Sequence, residues 1–253
     1  MKLIDVHAHL TDTKFDDIEQ VISRAKENSI DTIICSAYDL SSSKNAVLLA
    51  EKYSNIFATV GIHPENVDDY SENAMLELEE LAKHPKVVAI GEIGLDYHYT
   101  IENKNLQKIV FENQITLANK LNKPIVVHSR DAMSDTIKIL KDHPVLNESL
   151  LHCFSGSMES AKILSSLNYS FSFGGVVTFK NAKNAIEVVE NLPTNKILLE
   201  TDCPYMSPEP FRGKRNEPKN IVYIADKISK IKNLKLEEIA EITTTNAKRI
   251  FKL

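Results

Sequence analysis

Two histidines one residue apart, His7 and His9 in DVHAHL, are the first residues in this chain that could do chemistry. On a strand, side chains at i and i+2 share a face, here with Asp5; on a helix they would diverge. Two imidazoles and a carboxylate on one face suit a metal ion. The pair alone equally suits two ordinary histidines at a strand end. The rest of the chain separates these readings. His63 ends VGIHP, Glu92 lies in AIGEIG, His128 in PIVVHSR, His152 in LLHCF, and Glu200 and Asp202 in ILLETDCP. Each follows an apolar run that belongs in a core. His98 falls in the loop after the fourth run, and His84 and His143 precede prolines at helix ends, where no site role is expected. Burying so many polar groups without partners costs about 1–3 kcal/mol each. A shared cation gives all of them a partner.

Imidazole with carboxylate suits Zn²⁺, Mn²⁺ or Fe, whereas carboxylate and water alone suit Mg²⁺. The expected metal ligands are His7, His9, Glu92, His128, His152 and Asp202. That set exceeds one tetrahedral site, so two divalent ions (Zn, Mg or Mn) are expected, with Glu92 as the bridge. One ion takes His7, His9, Glu92 and Asp202; the other takes Glu92, His128 and His152. A pair of ions can hold a hydroxide and stabilise both the attacking and leaving oxygens at phosphorus. Asp202 can accept the proton of that nucleophile, which makes Asp202 and Glu92 the catalytic residues. Asp5 and Glu200 share the inward face and are expected to orient imidazoles through the far nitrogen; simple core hydrogen bonding is the alternative.

A phosphodiester needs further cationic or N–H contacts. His63, Arg212 and Arg215 are the substrate-binding candidates, the last two in PYMSPEPFRGKRNEPKN, which reads equally as a solvated basic loop. Tyr97, Phe154, Tyr205 and Phe211 lie near the same rim and either stack on bases or pack the loops.

These residues must be positioned by regular elements. Apolar, β-branched runs recur as KLIDVHA, DTIICSA, IFATVGI, VVAIGEI, PIVVHS, SLLHCF, YSFSFGG and KILLETD. Between them lie segments of helical periodicity: DDIEQVISRAKEN, AVLLAEKY, NAMLELEELAKH, NKNLQKIVFENQITLANKL and DTIKILKDH. NIVYIADKISKI and LEEIAEITTTNAKRIFKL close the chain. No linker or composition break interrupts residues 1–253, so one domain is expected. Eight βα units predict an α/β fold of the (β/α)8 TIM-barrel type, with a doubly wound sheet as rival. The barrel places the strand-end residues together, because such enzymes build their sites at the C-terminal ends of the strands. The seven glycines form no GxGxxG or P-loop. They lie mostly in or after predicted strands, where they read as turns or as backbone brought close to a ligand.

The chain is 43% hydrophobic with a net charge of −5, which excludes a generic basic nucleic-acid coat. Three widely spaced cysteines argue for a reducing compartment. With no apolar leader and no apolar run long enough to cross a bilayer, a cytoplasmic protein without membrane contact is expected. No obligate protein partner is evident.

HAH, GIHP, GEIGLDY, VVHSRDA, HCFSG and LLETDCPY, in this order along essentially the whole chain, resemble the TatD family of metal-dependent deoxyribonucleases in the amidohydrolase superfamily. The resemblance implies a (β/α)8 barrel, divalent metals and hydrolysis of DNA, commonly from the 3′ end, with single-stranded or damaged ends as the expected substrate. It carries the ligand role to His7, His9, Glu92, His128, His152 and Asp202. AIGEIGLDY has no lysine to serve as a carboxylated bridge, as other barrels of the superfamily have, and this favours phosphoester chemistry. The alternatives are a metal-dependent deacylase of aminoacyl-tRNA, another ester or amide hydrolase, and a non-enzymatic barrel; the last should have lost ligands.

Overall fold

The computed structural model describes residues 1–99 and 102–253. Its strands are β1 (Leu3–Ala8), β2 (Ile30–Ser36), β3 (Ile56–Val60), β4 (Val87–Asp96), β5 (Ile125–Arg130), β6 (Ser149–Leu151), β7 (Tyr169–Phe173) and β8 (Ile197–Leu199). They form one sheet in the order β1 to β8. The helices between and after them are α1 (Ile18–Glu27), α2 (Leu40–Lys52), α3 (Glu72–Ala82), α4 (Lys104–Lys120), α5 (Met133–Asp142), α6 (Met158–Ser166), α7 (Lys183–Asn191), α8 (Ile221–Lys232) and α9 (Leu236–Phe251). This sequential order of alternating elements is the (β/α)8 barrel fold; a doubly wound sheet would reverse direction at a switch point. Helices α6 and α7 belong to the eight expected βα units, although no segment of clear helical periodicity marks them in the sequence. Both are short, and α6 is serine-rich while α7 carries β-branched residues, so neither has a strong helical pattern.

The chain divides into two compact units. The first comprises Met1–Cys35, His152–Ala161 and Phe171–Leu253. Every residue of β1 is buried, as expected of a parallel strand covered on both faces. Helix α9 turns Ile239, Ala240, Thr243, Ala247 and Ile250 inward at three- and four-residue spacing. Its buried Asn246 donates to the carbonyls of Thr194 and Ile197, both at 2.8 Å, and so pins the start of β8. Gly175 must be glycine because a Cβ there would meet the carbonyl oxygen of Met206. Asp202, just beyond β8, has a positive φ of 56°, a conformation aspartate tolerates better than most residues.

The second unit comprises Ser36–Leu151 and Lys162–Ser170. Helix α2 starts at a capping box: Asp39 accepts from the Ser42 N–H at 2.6 Å, and the Ser42 hydroxyl accepts from the Asp39 N–H at 2.9 Å. Two glutamines of α4 reach the strand ends. Gln114 brackets Ile62 through its N–H and C=O at 2.7 and 2.9 Å; Gln107 does the same to Asp96, at 2.9 Å each. Strand β4 pairs with β5 so that Gly94 faces His128 and Asp96 faces Arg130. At Gly94, φ is +144° and a Cβ would meet the His128 carbonyl oxygen, so only glycine lets β5 approach. At Gly94 and Gly175, then, the close approach is of backbone to backbone.

Candidate metal centre

In the first unit, His7 lies on β1 with His9 just past its end, and both are buried. Their Nε2 atoms are 3.2 Å apart. The Asp202 Oδ1 lies 3.3 Å from the His9 Nε2 and 3.9 Å from the His7 Nε2. The main chain holds this arrangement: the Asp202 N–H donates to the His7 carbonyl at 2.9 Å, and the His9 N–H to the Cys203 carbonyl at 2.7 Å. The His152 ring stacks on His7 with centroids 4.0 Å apart and 13° between planes.

Two buried acids support these residues. Asp5 accepts from Thr201 through its N–H at 2.9 Å and its hydroxyl at 2.5 Å, and from the His7 N–H at 3.3 Å. It thereby fixes the backbone beside two site residues. Burial pushes its carboxyl up to about 8, against the pull of these hydrogen bonds. Glu200 accepts from the Cys153 N–H at 2.7 Å and the Ser172 hydroxyl at 2.5 Å, and its Oε1 is 3.8 Å from the His152 Nδ1. Burial raises it to about 7. Burial also opposes charge on Asp202, but the hydrogen bond with His9 and the neighbouring imidazoles hold it below the usual carboxylate range.

In the second unit, Glu92 and His128 stand on β4 and β5, with His63 just past β3. The Glu92 Oε1 is 2.8 Å from the His128 Nδ1 and 3.3 Å from the His63 Nε2. The other His128 nitrogen meets the Asp96 Oδ2 at 3.0 Å. His128 is thus held between two carboxylates. Burial works against its charge, but Asp96 and Glu92 raise it to about 9. Asp96 is likewise opposed by burial yet falls to about 2, held by His128 and by the N–H groups of Tyr99 and His98. Burial pushes His63 down.

The structure therefore gathers His7, His9 and Asp202 in one unit, and His63, Glu92 and His128 in the other, each with nitrogen and oxygen donors within 4.8 Å of one another. Imidazole nitrogens converging with a carboxylate oxygen fit a divalent cation of the Zn²⁺, Mn²⁺ or Fe type. His63, read from sequence as a substrate contact, belongs to a donor group. Asp96 was not anticipated; its signal was its place two pleats beyond Glu92 on one face of β4. Arg215 is clamped by Asp17 at 2.7 Å and Glu217 at 3.2 Å, and donates to the Lys14 carbonyl at 2.9 Å. Arg212 is exposed and lies over the Phe179 ring at 4.3 Å. Phe154 is buried against Phe171, which makes it a packing residue. Tyr97 donates its hydroxyl to Asp135 at 2.7 Å, and the half-exposed Tyr205 donates to Asp12 at 2.6 Å.

A (β/α)8 chain with such donor groups at its strand ends falls in the class of metal-dependent hydrolases. The chain belongs to the TatD related DNase family, whose model matches residues 4–252. It is 46% identical to the uncharacterized metal-dependent hydrolase YabD of Bacillus subtilis, with 99% of each chain covered. It is 36% identical to the uncharacterized metal-dependent hydrolase YcfH of Escherichia coli K12, over 99% of this chain and 96% of that one. The crystal structure of YjjV, a TatD homologue from Escherichia coli K12, superposes with a TM-score of 0.95 at 29% identity, covering 99% of this chain and 98% of that one. A TatD family hydrolase from Entamoeba histolytica follows with a TM-score of 0.89 at 26% identity, over 99% of this chain and 98% of that one. Among the described residues, no helix is long and apolar enough to cross a membrane.

Proposed function

We propose that this hydrolase is a deoxyribonuclease working from 3′ ends of single-stranded or damaged DNA, with two divalent cations. The observation that carries the reading is that each unit gathers its own group of imidazole and carboxylate donors at strand ends, in a chain of the TatD related DNase family. His7, His9 and Asp202 would hold one cation, with His152 stacked against them. Glu92 and His128 would hold the other, with His63 in reach as a further donor. Divalent cations in such sites activate water at neutral pH and neutralise charge developing on phosphorus. His9 and the neighbouring imidazoles hold the Asp202 carboxyl low against burial, which supports it as the acceptor of the attacking water's proton. Asp96 fixes the ring of His128 through the far nitrogen, and Asp5 fixes the backbone of His7 and Thr201. The cytoplasm is the proposed compartment, and the chain is proposed to act as a single domain without an obligate protein partner.

The test is cleavage of end-labelled single- and double-stranded DNA by the purified chain with Mg²⁺, Mn²⁺ or Zn²⁺. Metal-dependent release of nucleotides from the 3′ end of single strands is expected. Deacylation of aminoacyl-tRNA with DNA left intact would overturn the reading, as would no hydrolysis of DNA or of a simple phosphodiester.

A further inference from the structure

The C-terminal end of β5 carries a guanidinium that the site described above does not use. Arg130 follows His128 by two residues, so both sit on one face of the strand, with Arg130 about 6.6 Å further along. Its guanidinium lies 4.7 Å from the centroid of the Tyr99 ring. Tyr99 is 59% exposed. Its backbone is nevertheless fixed, because its N–H donates to the Asp96 Oδ1 at 2.9 Å while the Asp96 Oδ2 meets His128. One carboxylate thus positions both a candidate metal ligand and an exposed aromatic ring.

The acids of this rim have other partners. Asp131 meets His98 at 3.0 Å, and Asp135 meets Lys108 at 2.6 Å. Among the described residues, Arg130 has no carboxylate within ion-pair distance. Arg24 and Arg215, in contrast, are each held by Asp17 and Glu217. An exposed ring carrying a guanidinium without an acid partner is the combination that binds single strands: a cation for the backbone and a π-face for a base.

We propose that Arg130 and Tyr99 form the platform that seats a single strand beside the Glu92–His128 group. Arg130 takes a phosphate oxygen of a nucleotide next to the scissile bond, and Tyr99 stacks on an unpaired base. The proposal rests on the deoxyribonuclease reading and names the two residues that seat the strand in this part of the site.

Fluorescence anisotropy of the full chain, loaded with Mn²⁺, against a labelled phosphorothioate single strand tests it across a salt series. Arg130→Gln should weaken binding about tenfold and make the salt dependence of log Kd shallower by about 0.7, the contribution of one single-strand phosphate. Arg130→Lys should restore that slope. Tyr99→Leu should weaken binding about tenfold with the slope unchanged. All three variants should keep the wild-type metal content. Lys44→Gln, which removes only the ion pair with Glu77, should bind as wild type. Wild-type binding by both Arg130→Gln and Tyr99→Leu, in a protein that cleaves DNA, would overturn the platform and leave the deoxyribonuclease reading standing. Loss of metal from Arg130→Gln would also overturn it, since Arg130 would then be structural. A wild-type protein that neither binds nor cleaves DNA would overturn both.

Discussion

The two donor groups are supported in different ways. Around His7, His9 and Asp202, the buried acids Asp5 and Glu200 hold mainly backbone and hydroxyl groups: the N–H of His7, Thr201 and Cys153, and the hydroxyls of Thr201 and Ser172. Both carboxyls are pushed upward by burial. Around Glu92 and His128, the carboxylate of Asp96 grips the imidazole itself and is held low. The first group is set by where the chain runs, the second by a direct carboxylate–imidazole contact. Removing a supporting acid should therefore damage stability in the first case and metal affinity in the second.

The largest effects belong to the donors. His128→Ala and Asp202→Ala should each lower DNA hydrolysis by more than about a hundredfold, beyond what loss of an outer partner causes. Far-UV circular dichroism should show the fold retained in both; wild-type turnover in both would break the assignment. Next comes Asp96→Asn. The amide oxygen can still accept from the His98 and Tyr99 N–H groups, but its NH₂ cannot accept from His128. Metal affinity, read by calorimetric titration, should fall roughly 10–100-fold with little change in melting temperature.

Asp5→Ala should do the converse. It strips an acceptor from the Thr201 N–H and hydroxyl and from the His7 N–H. Buried donors left unsatisfied cost about 1–3 kcal/mol, so the thermal midpoint should drop by about 2–12 °C in a chain of this size. A variant that instead lost metal at unchanged stability would collapse the distinction between the two groups.

The smallest effect is on the acid limb of stability, to which two carboxylates of the first unit contribute. Hydrogen bonds from Arg215 and Arg24 hold Asp17 well below the usual carboxylate range. Burial opposes the charge of Glu217, but Arg24 and Arg215 hold it low as well. Depressed carboxyls stabilise the fold above their unfolded values and lose that contribution as pH falls through the folded ones. Denaturant titrations should therefore show stability falling below about pH 4, and Asp17→Asn should flatten that fall. An unchanged acid limb in this variant would place the titrating groups elsewhere.

What the sequence made legible follows from strand geometry. The period of two put His7 and Asp5 on one face, and the apolar runs placed six donors at strand ends whose distances now bear on them. The misses lie where a strand runs further than its composition suggests. VVAIGEI reads as a strand that stops at Ile93, yet β4 continues to Asp96, so the carboxylate that grips His128 lies beyond the apparent strand end. PIVVHS reads as ending at Ser129, yet β5 includes Arg130. Both extensions depend on Gly94 letting the two strands meet, a tertiary contact that no local pattern encodes. Conversely, Arg215 lies in a basic loop by composition, and only the fold brings Asp17 against it.

Metal stoichiometry tests the central claim most directly. Mass spectrometry of the native protein, purified and equilibrated with Mn²⁺ or Zn²⁺, should find two ions per chain. Asp202→Ala should lose one of them and His128→Ala the other, with the double variant binding none. A single ion in the wild type, or full occupancy in either variant, would contradict the account.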